Sequence, residues 1–142
     1  MKIYRLVTVT EAVLEAMQAL IAQLTSDCLL PTKASLEDIA NSDNTLLFLA
    51  EENNEIIGTM TLVLNKIPTG DKVWIEDVVV NKTARRKGVG KALIEAAITY
   101  ATENNIKKIN LTSSPERVAG NKLYQKLGFV KRETNVYRLT ME

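Results

Sequence analysis

The stretch that most constrains this chain is residues 73–91, V-W-I-E-D-V-V-V-N-K-T-A-R-R-K-G-V-G-K. An apolar run leads through a short polar connection into a basic turn with two glycines, and then into an amphipathic segment. The run over 73–80 predicts a strand, near-continuously apolar except for Glu76 and Asp77. From Val89 to residue 104, Val89, Leu93, Ala96, Ala97 and Tyr100 fall on one side and predict a helix. A strand feeding a helix through such a turn makes an anion site. The first helical turn leaves backbone N–H groups without intrahelical partners, and the aligned peptide dipoles add partial positive charge there. Gly88 and Gly90 lack a Cβ, so a ligand can approach the backbone and the turn can take conformations other residues resist. Lys82, Arg85, Arg86, Lys87 and Lys91 surround the turn with positive charge, two of them as forked guanidiniums suited to phosphate oxygens.

Two familiar phosphate loops do not fit. A P-loop requires Gly, four residues, then Gly-Lys-Ser/Thr, whereas Gly90-Lys91 is followed by Ala92 and the position five before Gly90 is Arg85. A dinucleotide fingerprint requires a third glycine three residues after the second, where this chain has Leu93. What remains is Arg85-x-x-Gly88-x-Gly90 directly after I-E-D-V-V-V, and, about thirty residues later, R-V-A-G-N-K-L-Y-Q-K-L-G-F over 117–129. The first resembles the acetyl-CoA pyrophosphate loop of the GNAT superfamily of N-acetyltransferases, Gln/Arg-x-x-Gly-x-Gly/Ala. The second is similar to that family's later motif ending in L-Y-x-K-L-G-F. The two stand in the family's order, and the resemblance covers about residues 45–139.

That resemblance implies acetyl-CoA as cosubstrate, lying between two central strands that splay apart. Backbone groups of Val78, Val79 and Val80 would bond the pantetheine, and Arg85, Arg86, Lys87, Gly88, Val89, Gly90 and Lys91 would hold the pyrophosphate. Asn121 would contact the cofactor, and a main-chain N–H near Val78 would stabilise the oxyanion. Glu76 is the implied base, acting directly or through water, and Tyr124 occupies the family's position for protonating the departing thiolate. Two adjacent acids in such a strand are costly unless solvated, paired or functional, so an ion pair or a dimer contact stands as the other reading of Glu76 and Asp77. Simple alternation sets Asp77 on the opposite side from Glu76. For Tyr124 the other reading is a ring packed to close its helix. The chain departs from many family members at Arg117, where they carry Asn, and at Gly120, where they carry Ala.

Composition narrows the chemistry. The 142 residues suit one domain, 1–142, and a net charge of +1 makes the basic turn a local feature, favouring a bound anion over nucleic acid. The chain has no histidine and one cysteine, Cys28, so an internal disulfide is excluded, a His/Cys zinc site is not expected, and any base is a carboxylate, Tyr, Lys, terminus or water relay. The N-terminal apolar run is too short for a signal peptide and no segment reaches membrane-spanning length, which predicts a cytoplasmic protein without membrane contact. The expected activity is acetyl transfer to a primary amine of a small molecule or a protein in a ternary complex, with no metal and with a homodimer left open. A non-catalytic acetyl-CoA-binding sensor or interaction module is the alternative.

Elsewhere, residues 2–7, 45–50, 56–64, 73–80 and 107–112 predict strands, and 129–132 with 136–139 a final hairpin. Thr10 is a cap for a helix carrying Val13, Met17, Leu20, Ile21 and Leu24, Ser35 a cap for a short helix to residue 40, and residues 116–126 a last helix ended by Gly128. The order predicts an α+β GNAT fold: a central mixed, mostly antiparallel sheet flanked by about four helices. The helix–loop–helix over 10–40 would form one wall of the acceptor pocket in such a fold.

Overall fold

Five strands and four helices succeed one another in the computed structural model, which describes residues 1–27 and 29–142. Cys28, and with it the expectation of no internal disulfide, lies outside the described residues. The elements are β1 (Lys2–Arg5), α1 (Glu11–Leu24), α2 (Lys33–Ala40), β2 (Thr45–Glu52), β3 (Glu55–Ile67), β4 (Gly70–Val80), α3 (Val89–Glu103), β5 (Ile109–Leu111) and α4 (Val118–Lys126). They fall into two compact units, Met1–Thr112 and Ser113–Glu142.

In the first unit the strands lie in the order β1-β2-β3-β4-β5. The first three pairings are antiparallel and β4–β5 is parallel, which gives the expected mixed, mostly antiparallel sheet. Asn53 and Asn54 both take positive φ between Glu52 and Glu55, the backbone of a two-residue hairpin matched to strand twist. Residues 66–71 read as a loop in the sequence, but β3 and β4 pair out to Ile67 and Gly70, leaving Pro68 and Thr69 as the turn. Gly70, at φ 115°, makes that tight return possible.

Register assigns the two faces, because directly paired residues point to the same side. One face carries Leu46, Phe48, Ala50, Gly58, Met60, Leu62, Val73 and Ile75, and α3 packs on it through Val89 and Leu93 at Gly58. A Cβ added at Gly58 would lie 3.1 Å from Val89 Cγ1 and 3.2 Å from the Val79 carbonyl oxygen, so only glycine lets the helix approach this closely. The other face carries Leu47 and Leu49, which join Leu6, Val9, Val13, Met17 and Leu36 in a core built with β1, α1 and α2. Buried Thr59 lies on this face too, its hydroxyl donating to the Phe48 carbonyl at 3.0 Å.

Both N-terminal helices are capped by threonine. The Thr10 hydroxyl accepts from Val13 N, as its position suggested. For α2 the expected cap Ser35 is instead the third residue of a capping box whose cap is Thr32, so the helix starts earlier, at Lys33.

The second unit is organised around α4. Leu127 is its C-cap, Gly128 has φ 102°, and Gly128 N and Phe129 N bond back to Gln125 O and Tyr124 O. This is the Schellman arrangement, and its characteristic apolar contact is present between Tyr124 and Phe129, edge to face with centroids 6.1 Å apart. The expected final hairpin is not formed: residues 130–142 carry no helix or strand. Two four-residue strands are marginal without a third strand or a helix beneath them, and this unit supplies no further strand.

Candidate active site

The end of β4 is tied down before the basic turn begins. Asn81 N donates to Ile57 O, and Asn81 Oδ1 accepts from both the backbone N–H and the hydroxyl of Thr83. The connection is thereby wound into a 3₁₀ turn, Lys82–Ala84, anchored by buried Ala84. Lys82 N donates to Gln23 Oε1 at 3.0 Å, which fixes the turn to the far end of α1. The Arg85 Nε–H donates to Val80 O, so this guanidinium also braces the turn.

Arg86 (φ 66°) and Gly88 (φ 79°) are both left-handed. Successive N–H groups around such residues converge into a concave anion nest. α3 starts at Val89 with Gly88 at the N-cap, and no side chain caps it. Its first-turn N–H groups are thus available to a ligand, with positive dipole behind them and Arg85, Arg86 and Lys87 exposed around them. The residues fit a diphosphate. At Gly88 the requirement is conformational: no atom lies within 4 Å of an added Cβ, but the backbone dihedral disfavours any other residue.

Before that turn, β4 leaves its neighbour. Pairing with β5 covers only Val73, Trp74 and Ile75, so residues 76–80 continue without β5 alongside. On the other edge, Glu76 pairs with Thr61 and Val79 with Thr59, so Asp77 and Val78 share the position opposite Met60. This is a β-bulge, and Asp77 sits in it at φ 49°. Asp77 keeps the position opposite Met60, on the face away from Glu76 as alternation suggests, and the bulge resets the facing from Val79 on, so that Glu76 and Val79, three residues apart, pair into the same face. Pairing with β3 resumes beyond the bulge at Val79 and Val80, so the edge of Val78, Val79 and Val80 left without a partner strand beside the basic turn is the one toward β5.

In the second unit, Asn121 and Tyr124 lie one turn apart on α4. Asn121 Nδ2 donates to Ser114 O at 3.0 Å, so the side chain expected at the cofactor also ties α4 to its lead-in. Burial pushes the Tyr124 phenol above its ordinary pKa, with the charge of Arg117 acting the other way. An added Cβ at Gly120 would meet the Tyr124 ring at 3.7 Å, an ordinary contact.

Glu76, Val78–Val80 and the 85–91 turn thus share one continuous strand–turn–helix in the first unit, and Asn121 and Tyr124 share α4 in the second. The sequence reading missed Gly58, which seats α3, and Gln23, which holds the turn. A glycine inside a strand pattern was the available signal for the first; nothing local marks the second. A cavity of about 730 Å³ lies between β1, the start of α1 and the β2–β3 turn, and reaches Asn81 just after β4. Among the described residues no cluster of His, Cys, Asp or Glu could hold a metal, and no helix is long and apolar enough to cross a membrane.

The pattern of the acetyltransferase (GNAT) family matches residues 13–129, and the chain belongs to that family. It is 36% identical over 94 residues to a mycothiol acetyltransferase of Amycolatopsis mediterranei, covering 63% of this chain but only 31% of that protein's length. It is 26% identical over 106 residues to an aminoglycoside N(6')-acetyltransferase type 1 of Salmonella typhimurium, covering 71% of this chain and 73% of that one. Its fold superposes on AAC(6')-Iy, solved in complex with the bisubstrate analogue CoA-S-monomethyl-acetylneamine, with TM-score 0.78, 25% identity and 99% and 97% of the two chains covered.

Proposed function

We propose that this chain is an N-acetyltransferase moving acetyl from acetyl-CoA to the primary amine of a small molecule, in one step within a ternary complex. The observation that carries the reading is the uncapped start of α3, with Gly88 in the left-handed region and cationic side chains around it. Acetyl-CoA supplies a thioester carbonyl carbon as electrophile. The 85–91 turn holds its diphosphate by charge-assisted N–H bonds, worth about 1.5–3 kcal/mol each, and the open edge of Val78, Val79 and Val80 pairs with its pantetheine amides. The relatives named for aminoglycosides and mycothiol support a small-molecule acceptor over a protein one.

An acceptor arriving as its ammonium first releases one proton to solvent, and Glu76 takes the second, directly or through one water, as the freed lone pair forms the new C–N bond. The C–S bond breaks with its electron pair on sulfur, and Tyr124, a phenol protonated at neutral pH, donates the proton that makes the free thiol. Main-chain N–H groups at the bulge stabilise the developing oxyanion. The test is continuous detection of free thiol from acetyl-CoA across a panel of amines. Thiol release dependent on an amine, and lost in Glu76→Gln, supports the reading; no release with any amine contradicts it.

A further inference from the structure

The two faces of the sheet are covered unequally at its centre. On the α3 side, Met60, Leu62, Val73 and Ile75 are all buried. On the other side, α1 and α2 close over Leu47 and Leu49, but Thr61, Val63 and Trp74 remain half-buried and Glu76 is exposed. Register puts these four on one face: Val63 pairs with Trp74 and Thr61 with Glu76. The chain has a single tryptophan, and it occupies this partly open position two residues before the carboxylate assigned to the chemistry. Alternate residues of a strand lie about 7 Å apart on the same side. On the other side of Glu76 this face continues with buried Val79, so the indole is the partly open surface beside the carboxylate onto which an amine addressing Glu76 can extend.

We infer that Trp74 is the specificity-determining residue of the acceptor site, selecting small primary amines whose nitrogen is borne next to a ring with an apolar face. This rests on the transferase reading above. The carboxylate complements the ammonium in which such an acceptor arrives, and the indole offers a large flat apolar surface at little cost in side-chain freedom. Val63, its direct partner on β3, widens that surface, while Thr61 beside Glu76 is too small to close it. A linear alkylamine would make the same contact with Glu76 and would leave the indole uncovered.

The test compares kcat/KM for cyclohexylmethylamine and n-butylamine at saturating acetyl-CoA, in wild type, Trp74→Ala and Trp74→Phe, with acetyl-CoA affinity measured on each as the check on folding. Wild type should prefer the cyclic amine. Trp74→Ala should lower the cyclic-to-linear ratio about tenfold, carried mainly by KM, the size expected for one lost ring contact. Trp74→Phe should retain most of the preference. A ratio unchanged in Trp74→Ala, or equal losses on both amines, would overturn the assignment while leaving the transferase reading standing. Wild type that acetylates other amines of the panel but neither of these would also overturn the assignment alone, whereas no thiol release with any amine would overturn the transferase reading beneath it.

Discussion

β4 is built differently at its C-terminal end and at its middle. Where β4 runs into α3, recognition is made of backbone: two left-handed residues, an uncapped helix start and a turn wired to Ile57, Gln23 and Val80. At Trp74 and Glu76, the acceptor site proposed above, side chains stand on a half-covered sheet face. A diphosphate is a fixed ligand, and backbone geometry suits it because main-chain N–H groups can be held in place without any particular side chain. An acceptor is the variable ligand, and its selection falls to side chains whose replacement leaves the scaffold intact. The difference predicts that the two regions can be disabled separately.

The largest separation should come from Glu76→Gln. With Glu76 as the proposed base, its removal should cost about 10²–10⁴ in kcat/KM, while acetyl-CoA affinity by calorimetry should stay near wild type. Loss of cofactor affinity in this variant would break the comparison. Gly58→Ala should act on the other region from a distance. Its Cβ meets Val89 Cγ1 and the Val79 carbonyl oxygen, and overpacking of that kind costs about 1–3 kcal/mol. A lower melting temperature should therefore accompany weaker acetyl-CoA binding, because the start of α3 moves with Val89. A melting temperature equal to wild type would show that the helix does not depend on that close approach.

Alkaline pH should affect stability through two phenols. Burial raises the pKa of Tyr124, and burial together with the hydrogen bond and charge of Glu51 raises that of Tyr4, whose hydroxyl donates to Glu51 at 2.9 Å. The folded state then keeps protons that the unfolded state has released, so stability is full below about pH 10 and falls as pH rises through the raised values. Tyr4→Phe should flatten that fall in denaturation midpoints taken from pH 9 to 11, and an unchanged slope would remove Tyr4 from the account. The smallest effect belongs to Gly120→Ala. Its added methyl makes only an ordinary contact with Tyr124, so helix propensity should dominate and stability should rise by a few tenths to about 1 kcal/mol, with cofactor affinity unmoved.

The same contrast explains what could be read without coordinates. The basic turn was legible as a turn into a helix because glycine spacing acts locally, and α3 begins at Val89 as its periodicity indicates. The L-Y-x-K-L-G-F ending was legible as a motif, and its physical content is the helix stop that packs Phe129 on Tyr124. The bulge at Asp77 was not legible, since it depends on how β3 pairs across from Met60. Gly58 needed the helix above it, and Gln23 reaches Lys82 from 59 residues away. The half-open face at Trp74 follows from register and from where α1 and α2 stop, both tertiary facts. The final hairpin was over-read: alternation over 129–139 satisfied the pattern, but no strand forms there.

The most direct test of the central claim is calorimetric titration of acetyl-CoA into wild type and Gly88→Glu, with ATP as control. The substitution strains the left-handed N-cap and places a negative charge at the start of α3. Binding to wild type that is lost in the variant, with no comparable response to ATP, is the predicted result. An absence of acetyl-CoA binding in wild type, or equal affinity in Gly88→Glu, would contradict it.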